Sequence, residues 1–257
     1  MILKAIGAAA RFLPIAWRRA WAAMTLAAIA VAASVASIGW AGAMGQTSAW
    51  LFAVAALSLV TRGGLWRLAL KQGRPGPGGL QVGATEARLA MVWVLSGLFL
   101  AILFLLLLVV LLCSAYAVAS AGRGFDPANV STWARAIDAR GRLLLTGAAI
   151  LGLAGLAYAW VRISLAEASS VAHARVEVLS TWRLSRGHEL TIIAGNLAIA
   201  AIPAAVLFAA QMNTPVGAHE LLRASACGLV LAGVWLPLNV GLMAYVFRCH
   251  AAPRSES

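Results

Sequence analysis

Leu98-Phe-Leu-Ala-Ile-Leu-Phe-Leu-Leu-Leu-Leu-Val-Val-Leu-Leu112 runs for fifteen residues without a polar side chain. It sits inside a longer apolar run, 90–121, which exceeds the roughly 20 residues needed to cross about 30 Å of hydrocarbon. Lipid offers the backbone no hydrogen-bond partner, so such a run must be helical. Five more runs read the same way: 21–44, 49–70, 143–163, 190–210 and 226–247. The expected fold class is therefore all-α, a polytopic membrane protein with six transmembrane helices in one membrane domain over 1–257. The second run is the weakest, because Arg62 and Arg67 fall in its later part, where they are expected to snorkel to the interface.

Composition supports lipid as the solvent. The 257 residues are 62% hydrophobic and 11% charged, with a mean hydropathy of +0.89. A soluble domain carries roughly 25% charged residues. The first run is longer than a signal-peptide core of about 7–15 residues and follows about twenty others, so it is expected to be retained.

The net charge of +12 raises nucleic-acid binding. The cations, however, are scattered between apolar runs rather than clustered in a basic footprint, and nucleic acid is not expected as a partner. Their distribution follows the positive-inside rule instead. Fifteen cations, from Lys4, Arg11, Arg18 and Arg19 through Arg74 to Arg248 and Arg254, fall on one side of the six runs. Arg123, Arg135, Arg140, Arg142 and Arg223 fall on the other. Both termini are therefore expected in the cytoplasm. Only Lys4 and Lys71 are lysines, and Ala and Gly abound, as in a GC-rich bacterial genome; the expected location is the cell inner membrane. Trp21 and Trp40 lie 19 residues apart, about 28 Å of helix, and can mark two interfaces.

Small residues recur at four-residue spacing in the first run (Ala28, Ala32, Ala36; Ala33, Ser37, Ala41) and in the fifth (Ala201, Ala205, Ala209). Such stripes let helices approach closely, which places both helices in the packed interior. The third helix, nearly all large apolar residues, is expected to face lipid.

Short interfacial helices are expected at about 2–16, 127–139 and 168–185. The second starts at Asp126-Pro127, read as an N-cap followed by a first-turn proline. In the third, Val171, Ala174, Val178 and Trp182 form an apolar stripe, with His173, Glu177, Ser180 and Thr181 opposite. Arg175, Arg183 and Arg186 flank the stripe. A helix lying flat among anionic headgroups needs this pattern, so Arg162, Arg175, Trp182, Arg183 and Arg186 are the expected headgroup contacts.

This segment resembles bacterial six-helix proteins related to the membrane domain of glycerophosphoryl diester phosphodiesterases. Arg162, Leu165 and Ala166 look like that family's start after the fourth helix. Ser180, Trp182, Leu184 and Gly187 look like its Ser-x-Trp-x-Leu-Thr-x-Gly signature, with Ser185 where threonine is common. The resemblance implies a fold rather than an activity. Catalysis in those phosphodiesterases resides in a separate soluble barrel, which these residues do not contain.

No G-x-S-x-G, Walker A or H-E-x-x-H sequence occurs. His173 and Glu177, with His188 and Glu189, come nearest to a metal pattern but read better as a solvated polar face with an i,i+4 contact. The chain is therefore expected to be no enzyme and to hold no metal or cofactor. Cys113, Cys227 and Cys249 read as buried thiols. Asn196 and Asn239 are the notable polar groups inside the runs, either hydrogen-bonded between helices or part of a polar cavity. Two functions stay open. One is a non-catalytic inner-membrane protein whose cytoplasmic face engages anionic lipid headgroups or a protein partner. The other is a small-molecule or lipid transporter or channel with a polar site near Asn196 and Asn239, favoured by the helix-breaking Pro203 and Pro237.

Overall fold

A computed structural model describes residues 1–38, 44–73, 76–122, 124–212 and 220–251, and every element among them is helical. Trp40, Ala41, Arg74, Arg123 and Arg254 lie outside the described residues. The helices are α1 (Ile2–Ile38), α2 (Met44–Leu70), α3 (Ala84–Ser120), α4 (Val130–Ala136), α5 (Ala139–Ile163), α6 (Ala166–Ala172), α7 (Thr181–Leu184), α8 (Glu189–Met212), α9 (Glu220–Gly228) and α10 (Leu236–Ala251). A 3-10 turn, Pro77–Gly79, precedes α3, and a π-helical segment, Leu229–Trp235, joins α9 to α10. Six helical stretches are long and apolar enough to cross a membrane. The chain is a multi-pass, all-α membrane protein. It divides into two compact units, Met1–Val92 with Ser164–Ser257, and Trp93–Ile163.

In the first unit α1 is the hub, packed against α2, α8, α9, the π segment and α10. Its buried face is an almost unbroken line of small residues at helical spacing: Ala5, Ala9, Ala16, Ala20, Ala23, Ala27, Ala30, Ser34 and Ser37. Small side chains bring backbones together, and glycines on the partners complete the fit. A Cβ built on Gly228 would overlap the Ala28 carbonyl oxygen, and one on Gly241 would sit 3.0 Å from Ala9 Cα. The interfacial helix expected at 2–16 is thus not separate. It continues into the membrane-crossing part of α1 through a single break at Ala20 (φ −125°, ψ 22°). Its small face is committed to Ile199 of α8 and to Leu238 and Leu242 of α10.

Proline shapes the last span. Pro237 has no N–H to give the carbonyl four residues back, Gly233. Trp17 Nε1 donates to that carbonyl at 3.0 Å from across the helix pair, so the proline break is answered inside the protein.

The fifth run is buried on a different stripe from the one expected. Ala201 and Ala205 are exposed, as is Ala209, while Ile192, Gly195, Ile199 and Pro203 face inward. Gly195 carries the close approach, since a Cβ there would lie 2.8 Å from a Leu242 methyl. Small-residue spacing alone could not say which of two helix faces meets a neighbour.

The second unit is a helical hairpin. The long apolar part of α3 is largely exposed, including Leu98, Leu105, Leu106 and Val110. Gly152 of α5 fits against Leu107. The expected 127–139 helix is shorter. Asn129 is the cap, its side chain accepting from Ser131 N, while Asp126 instead accepts from Ala128 N in a local turn.

Candidate functional site

The chemistry-bearing side chains of the first unit gather where α2 ends, α3 begins and α6 and α7 lie. Thr61-Arg-Gly-Gly-Leu-Trp-Arg67 organises them. Thr61, fully buried, donates through Oγ1 to Ala23 O at 3.1 Å and to its own helix at Leu57 O. Gly63 and Gly64 leave room for other chains. A Cβ on Gly63 would overlap the Glu86 carboxylate, and one on Gly64 would sit 2.8 Å from Gly79 O. The Gly78-Gly79 turn, with φ of +61° and +84°, then meets α1 beside its break; Cβ atoms there would lie 2.6 and 2.7 Å from Ala22 and Ala20. Only glycine combines these backbone angles with such contact.

Arg62 and Arg67 do not snorkel as expected. Arg67 Nη2 reaches both oxygens of Glu86, at 2.5 and 2.6 Å, with side-chain exposures of 8% and 3%, and Nη1 donates to Gln81 Oε1. Arg62 pairs with Glu167 of α6, whose other oxygen accepts from Trp66 Nε1 at 2.8 Å. Bound charge pairs replace exposed cations because the carboxylates, distant in sequence, arrive at helix starts beside them. Gln72 Nε2 adds a bond to Ala172 O at 2.9 Å, tying the end of α2 to the end of α6.

The third carboxylate breaks the expected amphipathic helix at 168–185. The chain leaves α6 at His173, Ala174 takes φ +55°, and helix resumes only at α7. Glu177, expected on a solvated face, is buried. Its carboxylate accepts from Ser169 Oγ, Arg175 Nε and, at 3.0 Å, His173 Nδ1. Its backbone N–H donates to Ser170 Oγ, which donates in turn to Glu177 O. Burial acts to raise the Glu177 pKa, but the hydrogen bonds from Ser169, His173 and Arg175 and the positive field of His173 outweigh it and hold the carboxyl below its usual range. Four polar partners stabilise this loop more than continuing the helix would.

Ser169, His173 and Glu177 resemble a hydrolase triad in composition only. A proton relay needs serine and acid on opposite imidazole nitrogens. Here Ser169 and Glu177 both meet Nδ1, at 3.3 and 3.0 Å, and Ser169 is fully buried. No group of three or more His, Cys, Asp and Glu is placed to hold a metal ion among the described residues.

Of the expected headgroup residues, Arg175, Arg183 and Arg186 are exposed, Arg175 at 74% of its side chain, and Trp182 is half-buried. Arg162 differs: it is buried, its guanidinium 5.3 Å from the Tyr158 ring centroid. Asn196 and Asn239 meet directly. Asn239 Nδ2 donates to Asn196 Oδ1 at 2.7 Å, and Asn196 Nδ2 donates to Ile192 O. The exposed cysteines Cys113 and Cys249 are not the buried thiols expected; Cys227 is half-buried.

The Arg–Glu pairs were the part the sequence did not disclose. The one hint was Arg-Gly-Gly inside an apolar run, since glycine pairs in a transmembrane helix invite another backbone. No family model, curated protein or solved structure matches the chain, so its geometry alone carries the functional reading.

Proposed function

We propose that this is a non-catalytic protein of a bacterial inner membrane, both termini cytoplasmic, whose cationic end engages anionic lipid headgroups. The observation that supports it is a division of charge. Glu86, Glu167 and Glu177 turn inward and are held by Arg67, Arg62 and Arg175, while Arg183 and Arg186 are exposed and Trp182 is half-buried. The surface left at that end is cationic, and each cation near an anionic membrane surface contributes about 1 kcal/mol. A conduit near Asn196 and Asn239 has less support, since the two amides satisfy each other.

Purified protein exchanged into vesicles of phosphatidylglycerol or phosphatidylcholine tests the reading. Native mass spectrometry should find phosphatidylglycerol retained, and the paired change Arg183→Gln, Arg186→Gln should reduce it. Equal retention in the variant refutes the site. Reporter fusions after Ser257 and near Gln46 test orientation; periplasmic activity at the C-terminal fusion overturns it.

A further inference from the structure

The second unit holds a cleft of about 380 Å³ between the end of α3 and the turn into α5. Val118, Ala121 and Leu144 form its apolar wall, and Asp138 and Arg140 stand among its lining residues. Two glycines draw the walls together. A Cβ on Gly122 would overlap the Ala136 carbonyl, and one on Gly141 would overlap a Val118 methyl. The cleft lies where two candidate membrane spans, ending at Ser120 and beginning at Ala139, reach their ends. Tyr116 near the end of α3, Phe125 in the following turn and Trp133 of α4 form an aromatic cluster with ring centroids 5.3–6.1 Å apart. Tyrosine and tryptophan favour headgroup depth, so this end of the hairpin belongs at the membrane–water boundary.

The charges of the cleft select its occupant. Arg142 is engaged with the Ile137 and Ala134 carbonyls at the end of α4, at 3.2 and 3.3 Å, and among the described residues that line the cleft Arg140 is the cation. Asp138 Oδ1 accepts from Gly141 N at 2.7 Å, and an ionised carboxylate has capacity for further donors. A simple anion would meet Arg140 but oppose Asp138; a simple cation would do the reverse. We propose that the cleft binds a zwitterionic phospholipid with a primary ammonium group, a phosphatidylethanolamine. Its phosphate meets Arg140, its ammonium donates to Asp138, and the top of an acyl chain lies along Val118, Ala121 and Leu144. A quaternary ammonium has no N–H to donate, so phosphatidylcholine is a poorer fit. This site shares no residue with the cationic end of the first unit, and either can fail without the other.

The test is native mass spectrometry of the full chain after equilibration with phosphatidylethanolamine, phosphatidylcholine or phosphatidylglycerol at equal concentration. One phosphatidylethanolamine should be retained per chain, about tenfold over the other two. Ala121→Phe, which fills the cleft, should abolish that preference. Asp138→Asn keeps an acceptor for Gly141 N and should lose discrimination against phosphatidylcholine, while Arg140→Gln should weaken retention. Thermal unfolding in detergent confirms that each variant is folded. Equal retention of the three lipids overturns the proposal, as does undiminished preference in a folded Ala121→Phe. So does displacement by soluble phosphoethanolamine at the lipid's own concentration, which would make the site one for a free head group.

Discussion

α3 contains an eighteen-residue stretch with a mean hydropathy of 3.2, and none of it is buried. The corresponding stretch of α1 has a mean hydropathy of 1.8 and is 44% buried, and that of the last span is 67% buried at the same hydropathy. In water this order would be reversed. In lipid a leucine gains little by exchanging hydrocarbon for a protein neighbour, so apolar character does not drive burial. Close backbone approach does, along with hydrogen bonds that lipid cannot supply. α1 has alanine along its inner face, a carbonyl at Ala23 that accepts from Thr61 of α2, and an indole at Trp17 that donates to Gly233 O; the Leu98–Leu112 stretch of α3 has none of these.

The largest expected effect is at the buried ion pair. Arg67→Met leaves the buried Glu86 carboxyl without its partner, and should destabilise by about 3–5 kcal/mol in detergent unfolding. Adding Glu86→Leu should recover most of the loss. If the double variant is no better than the single, the pair is not what stabilises this end.

Next comes packing. Gly228→Leu forces a side chain into the Ala28 carbonyl and should cost about 1–3 kcal/mol or more. A folded Gly228→Leu with unchanged thermal stability would remove the claim that close approach organises α1.

Trp17→Phe keeps the ring but withdraws the donor from Gly233 O, at an expected cost of about 1 kcal/mol. The variant should also show faster amide exchange around 233–236. Unchanged exchange would mean that the Pro237 break is satisfied in another way.

Acid should act locally. The folded pKa of Glu177 is below its ordinary value, so its contribution is fully present above the usual glutamate pKa of about 4.3 and is lost as pH falls through the lower folded value. Amide protection at 173–178 should drop over that acidic range, and Glu177→Gln should abolish the pH dependence. A loss of protection centred near neutral pH would assign the effect to another group.

The smallest effects belong to exposed faces. Leu106→Ala in α3 and Ala205→Leu in α8 should each change stability by no more than about 0.5 kcal/mol. A large loss from Ala205→Leu would show that this stripe meets a neighbour after all, as its spacing suggested.

Apolar run length was enough to read six membrane-crossing helices, because backbone hydrogen bonding in lipid allows one local solution and needs about 20 residues of it. The exposure of the third helix was equally legible, since a stretch of fifteen residues with only Ala101 small leaves little face for close approach. Tertiary structure decided the rest. Whether Arg62 and Arg67 reach water or a carboxylate depends on Glu167 and Glu86, which lie 105 and 19 residues away in sequence. Whether 168–185 stays helical depended on Glu177 finding Ser169, Ser170, His173 and Arg175 together, which outweighed a helical pattern that was real but local. The choice between faces of α8 fell to Gly195 and Ile199, because it is the neighbours, Leu242 against Gly195 and Ala5, Ala9 and Leu238 around Ile199, that bury this face rather than the alanine stripe. Local energetics set where helices form in lipid; which of their faces and charges meet is a property of pairs, and no single stretch of sequence contains both members.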